Sequence, residues 1–474
     1  MAAADLSTKL ARDDIQGLLA SGYGRLPAAC YLLLAIEEPR RAGAWLGRLA
    51  GKLTTARERP LKTAVNVALA SSGLAKLGLP PALGGFSDRF LDGMTASPRS
   101  RALGDVGADA PERWRWGGPT TTTVDVLLLL YAADDGLLAA LEERLVRPAD
   151  GLALVQRLDT QWSEREHFGF RDGISQPLVE GLRAGRPDDV ISAGEFVLGY
   201  RNEHGQLTRR PRVDRASDPR GILPTDSATG DADLGRNGSY VVLRTLSQDV
   251  RAFWGFVEGA TTNGAGDSGD QAARLRLAAQ IVGRWPNGEP LVLAPDGPPE
   301  TPPQPTNDFR YHDVDAHGER CPLGAHIRRA HPRDSLDPKP GSERSIAIDK
   351  LHRLLRRGRG FGAPIAPAAA LNGGARDGEE RGLHFICLCA NIARQFEFVQ
   401  HTWVNNPKFN GLYDDPDPLL GPAGRTLTVQ ARPINRRVPG LPSFVGVLGG
   451  AYFFLPGVRA VRYLAALAPA AGGR

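Results

Sequence analysis

Residues 28–53 read AACYLLLAIEEPRRAGAWLGRLAGKL. Ala28 to Ile36 is a short apolar run, Glu37-Glu38-Pro39 interrupts it, and Arg41 to Leu53 has the spacing of an amphipathic helix. The segment therefore reads as a strand followed by a helix. Downstream, Thr63 to Ala70 is a second strand, with a helix from Ser71 to Leu77 that stops at Gly78. Thr122 to Tyr131 is a third strand, Asp134 to Leu145 a helix, and Leu152 to Trp162 a fourth strand. Two strand-helix pairs with returning antiparallel strands predict a ferredoxin-like α+β sandwich. After a polar, Gly- and Asp-rich stretch from Pro187 to Gly235 the pattern begins again. Ser239 to Leu246, Leu383 to Ala390 and Phe444 to Leu455 read as strands; Gln248 to Glu258, Gln271 to Arg284 and Ile392 to Val404 read as helices. Two ferredoxin-like domains are expected, residues 1–220 and 221–474. Ala294 to Pro305, rich in proline, reads as an irregular surface excursion.

Length and composition bound the function. The 474 residues suit two or three domains, and 42% hydrophobic with 23% charged residues are ordinary globular values, which excludes a disordered, collagen-like or coiled-coil chain. A net charge of +5 spread over the whole chain argues against nucleic acid as a partner. Four scattered cysteines, at 30, 321, 387 and 389, make no disulfide framework and no C-x2-C zinc knuckle. The opening MAAADLSTKLARDD lacks a charged region followed by an apolar one, and the longest apolar runs are under half the ~20 residues of a membrane helix. The expectation is a soluble cytoplasmic protein with no membrane partner and an oligomeric state left open.

Four segments crowd polar, Gly and Pro residues in ways that neither a strand nor a helix needs. In His167-Phe-Gly-Phe-Arg-Asp172-Gly-Ile-Ser-Gln-Pro177, Gly169 and Gly173 bracket an aspartate that a fixed loop can present, or that merely caps a turn. In Cys321-Pro-Leu-Gly-Ala-His326-Ile-Arg-Arg-Ala-His331-Pro-Arg-Asp334, two small residues leave room beside His326. Arg328, Arg329 and Arg333 could meet an anion, and His331, before a proline, ranks second as a ligand. A packed histidine is the plainer alternative. In His352-Arg-Leu-Leu-Arg356-Arg-Gly-Arg-Gly-Phe361, an extended backbone puts Leu354 and Arg356 on one face, so Arg356 either reaches solvent on an edge strand or serves a site. In Leu383-His-Phe-Ile-Cys-Leu-Cys-Ala-Asn391, the cysteines share a face of a strand and read as core, whereas Asn391 is either a helix cap or a hydrogen-bond partner behind a site.

Together these motifs, with Asn237-Gly-Ser-Tyr240, Gln248-Asp-Val250, Phe253-Trp254, Gln395-Phe-Glu-Phe-Val-Gln400, Trp403-Val-Asn-Asn-Pro and Gly449-Gly450, resemble the dye-decolorizing haem peroxidases from about residue 14 to 457. The resemblance implies two ferredoxin-like domains holding one haem b. His326 would ligate the iron, with Arg328 and Asn391 as further cofactor contacts. Asp172 and Arg356 would lie on the side where hydrogen peroxide binds, and bulky aromatic compounds would donate electrons. Where several family members place a carboxylate behind the ligating histidine, this chain has Asn391, with Glu397 as the alternative. Surface aromatics carry electrons from large donors in the family; Trp162, Trp254, Trp285, Trp403, Tyr240 and Tyr452 are candidates here, and each reads equally as core. A haem carrier with little turnover is the rival reading.

The chemistry explains the residue types. Splitting bound peroxide moves a proton from one oxygen to the other and builds negative charge, which a carboxylate and a permanently charged guanidinium can serve. An unperturbed Asp titrates near ~3.9 and His near ~6.5, so an aspartate base predicts activity down to about pH 4 to 5.

Overall fold

The computed structural model describes residues 9–80, 84–147, 150–262, 271–299, 306–366, 369 and 378–467. Four strands, β1 (Ala28–Ile36), β2 (Thr63–Leu69), β3 (Val126–Ala132) and β4 (Leu152–Asp159), form the first half. Their spatial order is β4-β1-β3-β2, all antiparallel, with the helices Pro39–Ala50 and Asp135–Leu145 between them in sequence. A long, largely irregular segment follows, carrying the two-residue pair β5 (Leu178–Val179) and β6 (Val190–Ile191) and the short 3-10 turns Ala193–Glu195 and Arg215–Ser217. The second half uses β7 (Ser239–Gln248), β8 (Leu355–Arg356), β9 (Arg359–Phe361), β10 (Gly382–Cys389) and β13 (Val445–Leu455), in the order β13-β7-β10-β8 with β9 also on β10. Strands β11 (Arg425–Val429) and β12 (Arg436–Leu441) form a separate hairpin.

Numbered within each half, both orders are 4-1-3-2, the ferredoxin-like order expected from the sequence. The halves join into one nine-stranded sheet through the Phe454–Leu69 pair of β13 and β2. Gln161, just past β4, bridges Gly360 in β9 at the other end. Each half thus sets its second strand beside the other's fourth, and the sheet nearly closes on itself.

This closure explains why β1 is apolar at every position instead of alternating: both of its faces are covered. Cys30, Leu32, Leu34 and Ile36 face a core that also contains Trp45 and Leu46 of the first helix. Tyr31 and Leu33 face inward, onto a core shared with Val241, Leu243, Ile386, Leu388 and Phe453 of the second half. The last helix, Val458–Leu467, crosses back to the first half and buries Val461 and Leu464 in the same core as Trp45. The tail from 468 and residues 300–305 of the Pro-rich excursion lie outside the described residues.

The stretch expected as a helix from Ile392 to Val404 is wound more widely, as π-helical turns over Ala393–Glu397 and Val399–Val404. Glu397 N–H bonds Ile392 O at 3.0 Å and Asn405 N–H bonds Gln400 O at 2.9 Å, each reaching five residues back. Such turns concentrate at functional sites. Here they set Phe396, Val399, Gln400 and Val404 along one cavity.

Candidate active site

That cavity lies against the second half and is closed by the loop that follows β4. His326, Asp172 and Arg356 all line it. Its walls are mostly apolar, with Leu246, Leu354, Leu383, Phe385 and Leu420 among them, and Arg171 and the buried Arg284, Arg333 and Arg353 also line it.

His326 opens the short helix His326–Ala330, and its Nδ1 donates to Asp417 Oδ2 at 2.9 Å. Asp417 is buried, and its Oδ1 accepts the N–H groups of Leu419 at 2.9 Å and Leu420 at 2.8 Å. Burial pushes this carboxyl up, but His326, Arg329 and the Leu420 N–H outweigh burial and hold it below the usual carboxylate range. The imidazole is therefore locked with Nδ1–H toward a carboxylate, which leaves Nε2 as its free nitrogen. Local packing fixes the helix as well. Gly283 has φ of +98°, and a Cβ there would come within 2.4 Å of Ile327 Cγ1, so only glycine lets the preceding segment approach this closely.

Asp172 sits between Arg171 and Gly173 in the irregular loop. Gly173 has φ of +76°, and its N–H bonds Asp172 Oδ1 at 2.6 Å. Arg356 stands on β8 opposite Cys387 of β10, with its backbone N–H held by Gln176 Oε1 at 3.0 Å. Its Nη2 lies 3.7 Å from Asp172 Oδ1, and both side chains are partly open. As the alternation predicts, Leu354 shares the cavity with Arg356 while Leu355 points into the shared core.

Three expectations are corrected. Asn391 does not line the cavity; its Oδ1 accepts Arg394 N–H at 3.0 Å and caps the following turns. Glu397 is turned away, with Arg89 and Arg99 each at 2.9 Å and the Tyr452 hydroxyl donating to it at 2.9 Å. The carboxylate behind His326 is Asp417, from Asp415-Pro-Asp417-Pro418, a run whose sequence signal was two acids interleaved with prolines. Arg328 is also absent from the cavity wall. Its two terminal nitrogens bond Asp315 Oδ2 at 2.9 Å, Asp315 O at 2.8 Å and Cys321 O at 2.7 Å, and its guanidinium lies over the Tyr311 ring. His331 lines the cavity, yet both ring nitrogens are engaged, one with Ser175 Oγ at 3.1 Å and the other with Asp349 at 3.0 Å.

Missed in the sequence was Arg353, which is buried beside Asp349 at 4.0 Å and leaves Nη1 without a hydrogen-bond partner. A buried guanidinium nitrogen of this kind fits an anionic group supplied from the cavity.

No family model matches the chain. It is 30% identical to the dye-decolorizing peroxidase msp1 of Mycetinis scorodonius, over 97% of this chain and 89% of that one. The chain belongs to the dye-decolorizing peroxidases. It is also 29% identical to a multifunctional dye peroxidase of Amycolatopsis sp., over 91% of both chains. Among solved structures, an ancestral D-type dye-decolorizing peroxidase superposes with a TM-score of 0.77 at 25% identity, covering 96% of this chain and 99% of that one. A dye-decolorizing peroxidase in complex with 2,6-dimethoxyphenol superposes at 0.76 with 26% identity, covering 96% of this chain and all of the other. A dye-decolorizing peroxidase is a hydrogen-peroxide-dependent oxidoreductase that oxidises aromatic donors, and membership of the family implies a haem.

Proposed function

We propose that the haem is haem b, ligated through His326 Nε2, and that Asp172 and Arg356 activate hydrogen peroxide over it. One observation carries the reading. An imidazole backed by a buried carboxylate and a carboxylate-guanidinium pair line the same largely apolar cavity.

The residues fit the group. Apolar walls suit a flat macrocycle, His326 offers one nitrogen, and Arg353, with Arg333 beside it, offers charge for its carboxylates. When bound, the haem takes up the two oxidising equivalents of peroxide. Asp172 Oδ accepts a proton from one peroxide oxygen and returns it to the other, which leaves as water. Arg356 holds the charge that builds on the departing oxygen. Asp417 keeps Nδ1–H pointing away from the cavity and makes the imidazole a stronger donor.

For donors too large to enter, exposure separates the aromatic candidates. Trp162 is 41% exposed, whereas Trp254, Trp285, Trp403, Tyr240 and Tyr452 are at most 4% exposed. Arg359 links Trp162 inward, lying 5.2 Å from its ring centroid and 4.8 Å from that of buried Tyr131. We assign Trp162 as the place where bulky dyes and phenolics hand over electrons. We also place the chain in the cytoplasm; its four cysteines, buried and unbridged, suit a reducing compartment.

The deciding experiment is an absorption spectrum of the purified haem-loaded protein before and after one equivalent of peroxide. A Soret band that shifts on mixing and returns on adding 2,6-dimethoxyphenol is expected. A band that never shifts would leave a haem carrier.

A further inference from the structure

We propose that Glu166 is a positioning residue for the peroxide reaction, its carboxylate bracing the loop that presents Asp172. The inference rests on the reading of Asp172 as the group that moves the proton.

Residues 164–172 form a closed turn. Asp172 N–H bonds Glu164 O at 3.1 Å, Glu166 N–H bonds Phe170 O at 3.0 Å, and Gly169 N–H bonds Glu166 O at 2.9 Å. The Glu166 side chain folds back inside this turn. Oε2 accepts Phe168 N–H at 2.8 Å and Gln248 Nε2 at 2.7 Å, and Oε1 accepts Phe170 N–H at 2.8 Å. One carboxylate thus collects two backbone donors of the loop and ties them to β7. Those donors belong to the residues whose rings anchor the loop. Phe168 lies 4.7 Å from Phe253, and Phe170 stacks at 6.5 Å on Trp254, whose indole N–H bonds Phe168 O at 3.1 Å. Only Arg171 separates this anchored pair from Asp172. Removing the acceptor leaves buried N–H groups unpaired and frees the turn that aims the distal carboxylate.

Burial costs this carboxylate more than its donors return. Desolvation pushes it up to about 7, the Phe168, Phe170 and Gln248 donors pull it down, and Asp172 adds to the rise. Glu164 and Arg171 are further charged residues of the same turn. Within its own turn, Arg165 bonds Gly169 O at 2.8 Å and His167 bonds Phe361 O at 2.8 Å. Strand β7 presents the neutral Gln248, and the helix Val250–Thr261 presents Phe253 and Trp254. Across the cavity stand the arginines already named and the imidazoles of His326 and His331. Below about pH 7 the brace gains a proton and its grip on three donors weakens, so peroxide activation steps down to a lower plateau.

The test mixes haem-loaded enzyme with hydrogen peroxide in a stopped-flow instrument and follows the Soret change from pH 4 to 9. Wild type should lose about three- to tenfold in rate as pH falls through about 7. Glu166→Gln should keep the resting Soret band but run at the lower plateau with no step, and adding it to Asp172→Asn should slow that variant no further. A wild-type rate and step in Glu166→Gln would overturn the proposal. So would an equal slowing of wild type and of Asp172→Asn, because Glu166 would then act independently of Asp172. Full rate in Asp172→Asn alone would instead remove the reading of Asp172 itself. Should Glu166→Gln fail to fold, Gln248→Leu removes one donor and should move the step to higher pH; an unmoved step would overturn the proposal equally.

Discussion

The His326 side and the Asp172 side of the cavity are built on opposite principles. On the His326 side Asp417 is buried, and its two oxygens are filled by an imidazole and two backbone N–H groups. The next residue after the pair Ile327-Arg328, Arg329, spans Gly324 O, Trp403 O, Asn406 O and Asp415 O. On the Asp172 side the carboxylate-guanidinium pair is 3.7 Å apart and partly open to solvent. In the role proposed for it, as the iron ligand, His326 gains from having a single geometry. A group that trades protons with a small substrate needs access and slack, and its supporting constraints lie one layer back, in the turn that Glu166 closes.

The contrast can be broken most forcefully at His326. His326→Ala should abolish stable haem retention, measured as loss of the Soret-to-protein absorbance ratio after gel filtration; full retention would sink the assignment of the ligand. Next in size, Asp172→Asn and Arg356→Leu should keep the Soret band and slow the peroxide reaction by about 10² to 10⁴-fold, which stopped-flow mixing reads directly. If either variant lost its haem instead, the open side would be structural after all. Asp417→Asn is intermediate. It should retain haem with affinity lowered by about 10- to 100-fold and a raised reduction potential, since an amide stabilises the imidazole's donor character less than a carboxylate does.

The lowered Asp417 contributes stability that is present above the ordinary carboxylate range and lost as pH falls below it; between pH 7 and pH 5 other groups decide. His331, partly buried, and His384, fully buried, are held neutral; desolvation pushes both down to about 3, with Arg353 adding to the effect at His331. Their unfolded value is about 6.5, so below it the unfolded chain binds two protons that the folded chain refuses. That stability is present above about pH 6.5 and is lost as pH falls toward 3. Glu166 works the other way between its ordinary range and about 7, offsetting one of the two. The melting temperature should therefore drop by a few degrees between pH 7 and pH 5, and a flat profile by calorimetry would contradict the burial of these imidazoles. Smallest of all, Asn391→Ala should cost about 1 kcal/mol as a lost cap while the Soret band and peroxide rate stay put.

The strand-helix alternation and the duplicated ferredoxin-like plan were legible in the chain, because period-2 and period-3.6 patterns act within a few positions of one another, whereas His326, Asp172 and Arg356 were singled out together only by the family resemblance. The partner of His326 was not. Asn391 stands next to a strand that ends near the site and so resembles an acceptor, but the helical turns after it claim its side chain first. Asp417 lies 91 residues from His326 and is brought to it by tertiary packing. Arg328 and Arg353 show the same limit. Both are arginines near a predicted site, and only the tertiary structure engages the two terminal nitrogens of the first with Asp315 and Cys321 while it leaves Nη1 of the second, on the cavity wall, without a hydrogen-bond partner. Local sequence determined which elements form and which side chains carry charge. Only the closed sheet decided which charges already have partners, because that depends on contacts between residues far apart in the chain.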